Sequence, residues 1–222
     1  METTNSRLLN LEGKSIAILA MGLSHQDYIL SALSMGGKKM VADEVWGINS
    51  VGGSILVDRL FLMDDLKLME ELSYKDQEKN GPLMGYETWM KTAKFPIITS
   101  KAYPESFPSS IEYPLEEVLN ELTIPYFNNT VAYALGYAIC TKPEIIHLFG
   151  CDFTYQDRHV AEKGRACVEY WIRVAMERGI KVGLATHTTL MDCVYGQPLY
   201  GYRQTPIIER VDGKIKVKYE TN

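Results

Sequence analysis

Ser15-Ile-Ala-Ile-Leu-Ala20, Glu44-Val-Trp-Gly-Ile-Asn49, Arg59-Leu-Phe-Leu-Met63, Phe95-Pro-Ile-Ile-Thr99, Glu144-Ile-Ile-His-Leu-Phe149 and Ile180–Leu184 are short runs with apolar residues at consecutive positions. A strand with one wet face alternates apolar and polar side chains, so runs of this kind need cover on both faces. Helical segments lie between them. Gln26–Met35 is closed by Gly36-Gly37, Leu66–Leu72 follows Asp64-Asp65, and Met84–Ala93 precedes the fourth run. Pro114 opens Leu115–Glu121, with Glu116 and Glu117 near its positive end. Asn128 or Asn129 caps a helix to about Cys140, and Ala161–Arg178 places Val168, Trp171, Ile172 and Ala175 on one face. Strands alternating with helices predict a mainly parallel sheet. The tail alternates around Asp212-Gly213 and predicts a hairpin at about 206–219. The expectation is α/β: a single Rossmann-like domain over 1–222, helices on both sheet faces, ending in that small hairpin. Ser73–Pro82 and Lys101–Pro114 read as irregular connections.

Composition narrows the function classes. With 46% hydrophobic and 23% charged residues over 222 positions, the chain can bury a proper core and is not a disordered protein. No apolar run reaches the ~18 residues of a membrane span, and polar Met1–Arg7 gives no sign of a signal peptide. A net charge of −5 argues against a protein devoted to coating nucleic acid. Cys140, Cys151, Cys167 and Cys193 form no CxxC pair, so the expectation is reduced thiols and a cytoplasmic location.

In open parallel sheets ligands sit beyond the carboxyl ends of the strands. The residues there are Met21-Gly-Leu-Ser-His25, Asn49-Ser-Val-Gly-Gly53, Asp64-Asp65 and Gly150-Cys-Asp-Phe-Thr-Tyr155. Gly22 and Ser24 before a helix suit a phosphate; a tight turn with a capping serine explains them equally well. Asn49 is placed to read a ribose or base edge, or is only a turn residue. Asn129-Thr130 offers a second anion site, or only a helix cap. Asp64 and Asp65 suit magnesium, but helix capping is the simpler reading. Asp152 ends a strand and points a carboxylate at the cleft, unless it only holds its loop. His147 lies mid-strand and reads as core, whereas His25 and His187 are at loop positions. His159 precedes the longest helix, and histidine is the residue type suited to proton transfer near neutral pH. No GxGxxG, Walker loop, GxSxG elbow or zinc-deaminase pattern is present.

The strings Val45-Trp-Gly-Ile-Asn49, Arg59-Leu-Phe-Leu-Met-Asp-Asp65, Tyr126-Phe-Asn-Asn-Thr-Val-Ala-Tyr133, Gly150-Cys-Asp-Phe-Thr-Tyr155 and Gly164-Arg-Ala-Cys-Val-Glu-Tyr-Trp171 resemble a group of uncharacterised phage and prophage proteins. More remotely, the order of parts is similar to the small bacterial sialyltransferases that modify lipooligosaccharide, and to related Rossmann-like glycosyltransferase and pyrophosphokinase-like families. The sialyltransferase resemblance implies a CMP site at Gly22, Ser24, Asn49, Asn129, Thr130, Gly150 and Asp152, completed by Tyr155. It implies His159 as the general base on the acceptor hydroxyl, and no metal or other cofactor.

The leading expectation is therefore a glycosyltransferase moving a sugar from a CMP- or UDP-linked donor to a hydroxyl, with His159 and Asp152 as its catalytic candidates. The acceptor is a surface glycan or, in the phage setting the resemblance suggests, a modified DNA base in the host cytoplasm. Arg203, Arg210, Lys214, Lys216 and Lys218 against Glu209 and Asp212 give the tail a basic excess suited to a phosphate backbone, or a solvated hairpin face. Two alternatives stay open: a non-catalytic nucleotide-binding, sequestering protein, and a magnesium-dependent nucleotide pyrophosphokinase or hydrolase using Asp64 and Asp65. Trp89 and Tyr86 are candidate contacts of a homo-oligomer.

Overall fold

The structure is a computed structural model, described for residues 7–71, 86–192, 201 and 206–219. Ser73–Pro82, Cys193, Arg203 and the side chain of Tyr86 lie outside the described residues. The chain divides into two compact units, Met1–Leu190 and Met191–Asn222.

The first unit is built on a seven-stranded sheet in the order β5-β4-β3-β2-β1-β6-β7. Its strands are β1 (Ser15–Leu19), β2 (Glu44–Ile48), β3 (Arg59–Phe61), β4 (Ile97–Thr99), β5 (Ser110–Glu112), β6 (Ile145–Phe149) and β7 (Lys181–Leu184). Every neighbouring pair is parallel. Helices α1 (His25–Met35), α2 (Tyr86–Thr92), α3 (Leu115–Leu122), α4 (Thr130–Cys140) and α5 (Arg158–Glu177) lie between them, with a helical turn at Lys38–Val41 and another segment at 66–71.

The pleat explains why the runs are apolar throughout. Ile16 and Ile18 of β1 face one core with α3, α4 and α5, whereas Ala17 and Leu19 face another with Tyr28 of α1. On the first face Trp46 packs against Phe61 and Tyr137 at ring distances of 5.3 and 5.7 Å. On the second, Leu60 and Ile97 pack with Leu66, Met90 and Phe107. Each large side chain so buried stabilises the fold by about 1.5–3 kcal/mol. The expected fold class is the observed one.

Three details differ from the sequence reading. Lys101–Pro114 contains the edge strand β5, held by Ile97 N–H to Ser109 O (2.8 Å) and Tyr113 N–H to Thr99 O (2.8 Å). Pro114 is the N-cap of α3 and not its first residue. Helix α5 begins at Arg158, because the Asp157 side chain accepts from the N–H groups of His159 and Val160. Trp89 is partly buried, lying against Gly52, Gly53 and Phe95. No described helix is long and apolar enough to cross a membrane.

In the second unit β8 (Pro206–Val211) and β9 (Lys214–Tyr219) form the expected antiparallel hairpin. The register puts Lys214, Lys216 and Lys218 on one face with Glu209, which pairs with Lys218 at 2.7 Å. Ile208, Ile215, Val217 and Tyr219 share the other face.

Candidate nucleotide site

The chain leaves the sheet centre at β1, runs outward to β5, and returns to place β6 on the other side of β1. The strand order reverses between β1 and β6, and the carboxyl ends of the strands at such a reversal are the usual ligand position in these sheets. A cavity of about 430 Å³ lies there. Its walls are Ala20–Leu23 after β1, Ile48 and Asn49 of β2 and its end, Asp64 after β3, Asn129–Val131 at the start of α4, and Gly150–Tyr155 after β6. Of the residues singled out, Gly22, Asn49, Asn129, Thr130, Gly150, Asp152 and Tyr155 meet on this wall.

What they offer a ligand differs from the expectation. Ser24 does not line the cavity. It is 1% exposed, its N–H donates to Asp152 Oδ2 (2.7 Å), and its hydroxyl donates to Asp152 Oδ1 while accepting from the Gly150 N–H (2.8 Å). Asp152 is 3% exposed, and both carboxylate oxygens are engaged in this clamp. Gly22 N–H donates to Gly150 O at 2.7 Å. The expected phosphate cradle at Gly22 and Ser24 is therefore closed by bonds within the protein.

The glycines are needed for close approach. A Cβ on Gly22 would lie 2.5 Å from Asp152 Oδ2, and one on Gly150 would lie 2.1 Å from Ala20 O. Gly150 also has φ +69°, a left-handed conformation that other residues adopt at a cost. Thr189 Oγ1 donates to the Asp152 carbonyl and adds a further tie to this loop.

Asn129 is the N-cap of α4: its Oδ1 accepts from Ala132 N–H (3.0 Å), and its Nδ2 donates to Asn128 Oδ1 (2.7 Å). The N–H groups of Thr130 and Val131 have no acceptor within the helix, and both residues line the cavity. The Thr130 hydroxyl stands beside them, so an anion there meets the positive end of α4. No lysine or arginine is among the described residues that line it.

Asn49 also lines the cavity. Among the described residues, its Oδ1 is the one buried side-chain oxygen or nitrogen without a hydrogen-bond partner. The residue sits at φ +54°, a conformation that asparagine tolerates better than most. A buried acceptor left unpaired costs about 1–3 kcal/mol, which a donor from a ligand recovers.

Tyr155 is 59% exposed at the rim, and burial of its ring, then the Cys151 thiol, push its phenol above the ordinary range. His159 is exposed in the first turn of α5 and is not on the wall. His25 is tied by Nδ1 to Gly22 O (2.8 Å), and His187 pairs with Asp27 at 3.1 Å. His147 packs against Gly183, and burial lowers its pKa. Asp64 lines the cavity, but Asp65 faces elsewhere: it caps residues 67 and 68 through their N–H groups and accepts from the Tyr103 hydroxyl (2.9 Å). The Asp64–Asp65 pair therefore does not converge on one point. Met21, Leu23, Cys151, Phe153 and Thr154 belong to the loops that the sequence places at the ligand edge but carry no individual role there, and Ala20, Ile48 and Val131 line the cavity without having been assigned to it.

No protein-family model matches the chain, and no curated protein does. Solved structures similar to it include the sialyltransferase CstII from Campylobacter jejuni in complex with the substrate analogue CMP-3FNeuAc, at 14% identity and a TM-score of 0.45, covering 78% of this chain and 80% of that one. They also include the apo α-2,3-sialyltransferase from the same organism, at 14% identity and a TM-score of 0.46, covering 84% and 83%. Similarity at this level assigns neither activity nor ligand to the present chain.

Proposed function

We propose that the crevice between β1 and β6 binds the nucleotide of a nucleotide-sugar, and that the protein is a glycosyltransferase. The observation that carries the reading is a cavity lined both by Asn49, whose buried Oδ1 has no hydrogen-bond partner, and by the N-terminus of α4. An unpaired acceptor and unsatisfied N–H groups suit a ligand with a hydroxyl or amino donor at one end and a phosphate at the other. A nucleotide has both. In this reading Asn49 takes a ribose hydroxyl or an exocyclic amine, and Thr130 with the first N–H groups of α4 stabilises the departing phosphate. Gly22, Gly150, Ser24, Asp152 and Asn129 shape the site without touching the reacting atoms.

The sugar then lies toward Thr154 and Tyr155, and His159, four residues past Tyr155, is the base for the acceptor hydroxyl. Phosphate charge is met by backbone and hydroxyl groups, so the proposal is metal-independent. The test is release of free nucleotide from CMP- and UDP-sugars in EDTA, with an oligosaccharide or hydroxymethylated DNA as acceptor. We expect turnover in the wild type and none in His159→Ala, with nucleotide affinity retained. A specific observation favours a second reading, non-catalytic sequestration: His159 is exposed and off the cavity wall. Tight nucleotide binding without product in either protein would establish that reading instead, and activity stopped by EDTA would point to a magnesium enzyme.

A further inference from the structure

Helix α1 shows solvent a second apolar face. Tyr28 is buried against the sheet, and on the opposite side Ile29, Leu30 and Leu33 are exposed, continued by Leu23 and Met21 in the preceding turn. Leu23, Leu30 and Leu33 are 75%, 64% and 76% exposed, which is not the state in which a leucine-rich helix face is ordinarily found. We propose that this face is a homodimer interface, in which α1 packs antiparallel to α1 of a second copy across a two-fold axis.

The sequence spacing is that of a helix seam. Leu23, Gln26, Leu30 and Leu33 follow one another at intervals of three, four and three residues, as a and d positions do. Such a stripe is complementary to itself when reversed: Leu23 opposes Leu33 of the second copy, and Gln26 opposes its Leu30. A two-fold interface requires this reciprocity.

The area also fits. A fully exposed side chain of this size carries on the order of 100 Å² of apolar surface. Met21, Leu23, Ile29, Leu30 and Leu33 therefore present roughly 300 Å² per copy, the larger part of the apolar share that an interface needs. A standard interface buries about 800 Å² per partner, a little over half of it apolar. The charges argue against a lipid surface as the occupant. An interfacial membrane helix carries lysine or arginine beside its apolar face, whereas α1 has none and carries Asp27. The nearest cations, Lys38 and Lys39, lie 2.7 and 3.6 Å from Asp58. Because Met21 and Leu23 line the cavity, the end of the second copy's α1 closes part of the rim of the nucleotide crevice.

Light scattering on the full chain at about 50 μM tests this, with Leu30→Glu/Leu33→Glu and the milder Leu30→Asn as variants. We expect a species of twice the 25.1 kDa chain mass for the wild type. The double variant should be a monomer with an unchanged far-ultraviolet circular dichroism spectrum, and Leu30→Asn should weaken dimerisation at least tenfold. A wild-type monomer at this concentration, or a dimer that survives both variants, overturns the proposal. A monomer that co-sediments with phosphatidylglycerol vesicles overturns it in favour of a membrane face. None of these outcomes measures nucleotide binding, so the dimer can fail while the assignment of the crevice stands.

Discussion

The Ser24–Asp152 clamp joins the loops after β1 and β6, and its strength can be worked from the geometry. Asp152→Asn keeps the shape but removes the charge and replaces one of the two acceptor oxygens, which take Ser24 N–H (2.7 Å) and Ser24 Oγ (2.5 Å), with an NH2 group. Charge-assisted bonds contribute about 1.5–3 kcal/mol and neutral ones about 0.5–1.5, so losing one bond and the charge on the other should cost at least about 2 kcal/mol. Ser24→Ala removes one charged bond and leaves the Gly150 N–H, now 2.8 Å from Ser24 Oγ, without its acceptor. That loss should be about 3–5 kcal/mol. The two changes act on one interaction, so the double variant should fall short of the sum by about 1–2 kcal/mol. Urea unfolding at pH 7 measures all three, with an unchanged m-value showing that the unfolded state is the same. Asp152→Asn within about 0.5 kcal/mol of wild type, or strict additivity, would refute the clamp and return Asp152 to direct chemistry.

Gly150→Ala meets left-handed strain of about 1–2 kcal/mol and a Cβ 2.1 Å from Ala20 O, so a loss above about 3 kcal/mol is expected in the same assay. Burial alone would raise the Asp58 carboxyl, but the Lys38 ammonium and the Val45 N–H outweigh it and hold it below the ordinary value. Its stabilisation is thus complete above the unfolded carboxylate pKa of about 3.9 and is lost as the pH falls through the lower folded value. Acid titration of stability should show a shallower loss in that window for Asp58→Asn than for wild type; equal slopes would contradict the assignment. Burial pushes the Cys140 thiol up to about 12, and Cys151 and Cys167 are raised by the same cause. Iodoacetamide at pH 8 should therefore leave these three unmodified in the native protein and label them in urea, as peptide mass spectrometry reads; native labelling would show that the core opens.

The strands and helices were legible because local pattern sets them: β1, β2 and β6 are apolar on both faces, Asn129 caps α4, and Asp212-Gly213 turns the hairpin. Helix α5 was placed three residues late because Asp157 was not weighed as a cap, and that shift puts His159 in a helical first turn instead of a loop. Strand β5 has three residues, two of them exposed, in a proline-rich stretch, so no period announces it. The polar groups after the strands were legible as a group, since a parallel sheet gathers strand ends at one edge. Their individual roles were not. Ser24 and Asp152 are 128 residues apart, and nothing local shows that each engages the other. Likewise nothing beside Asn49 in sequence shows that its side-chain oxygen is buried without a partner at the end of β2.

Thermal unfolding with nucleotides tests the central claim most directly. Wild type and Asn49→Ala are compared with CMP, UDP, GDP and ADP in EDTA. At a hundred times its dissociation constant a ligand adds about 2.7 kcal/mol, or about 5–10 °C for a chain of this size. The account predicts a shift of that size for CMP or UDP in the wild type, and a much smaller one in Asn49→Ala. No shift with any nucleotide, or equal shifts in both proteins, would contradict the assignment of the crevice between β1 and β6.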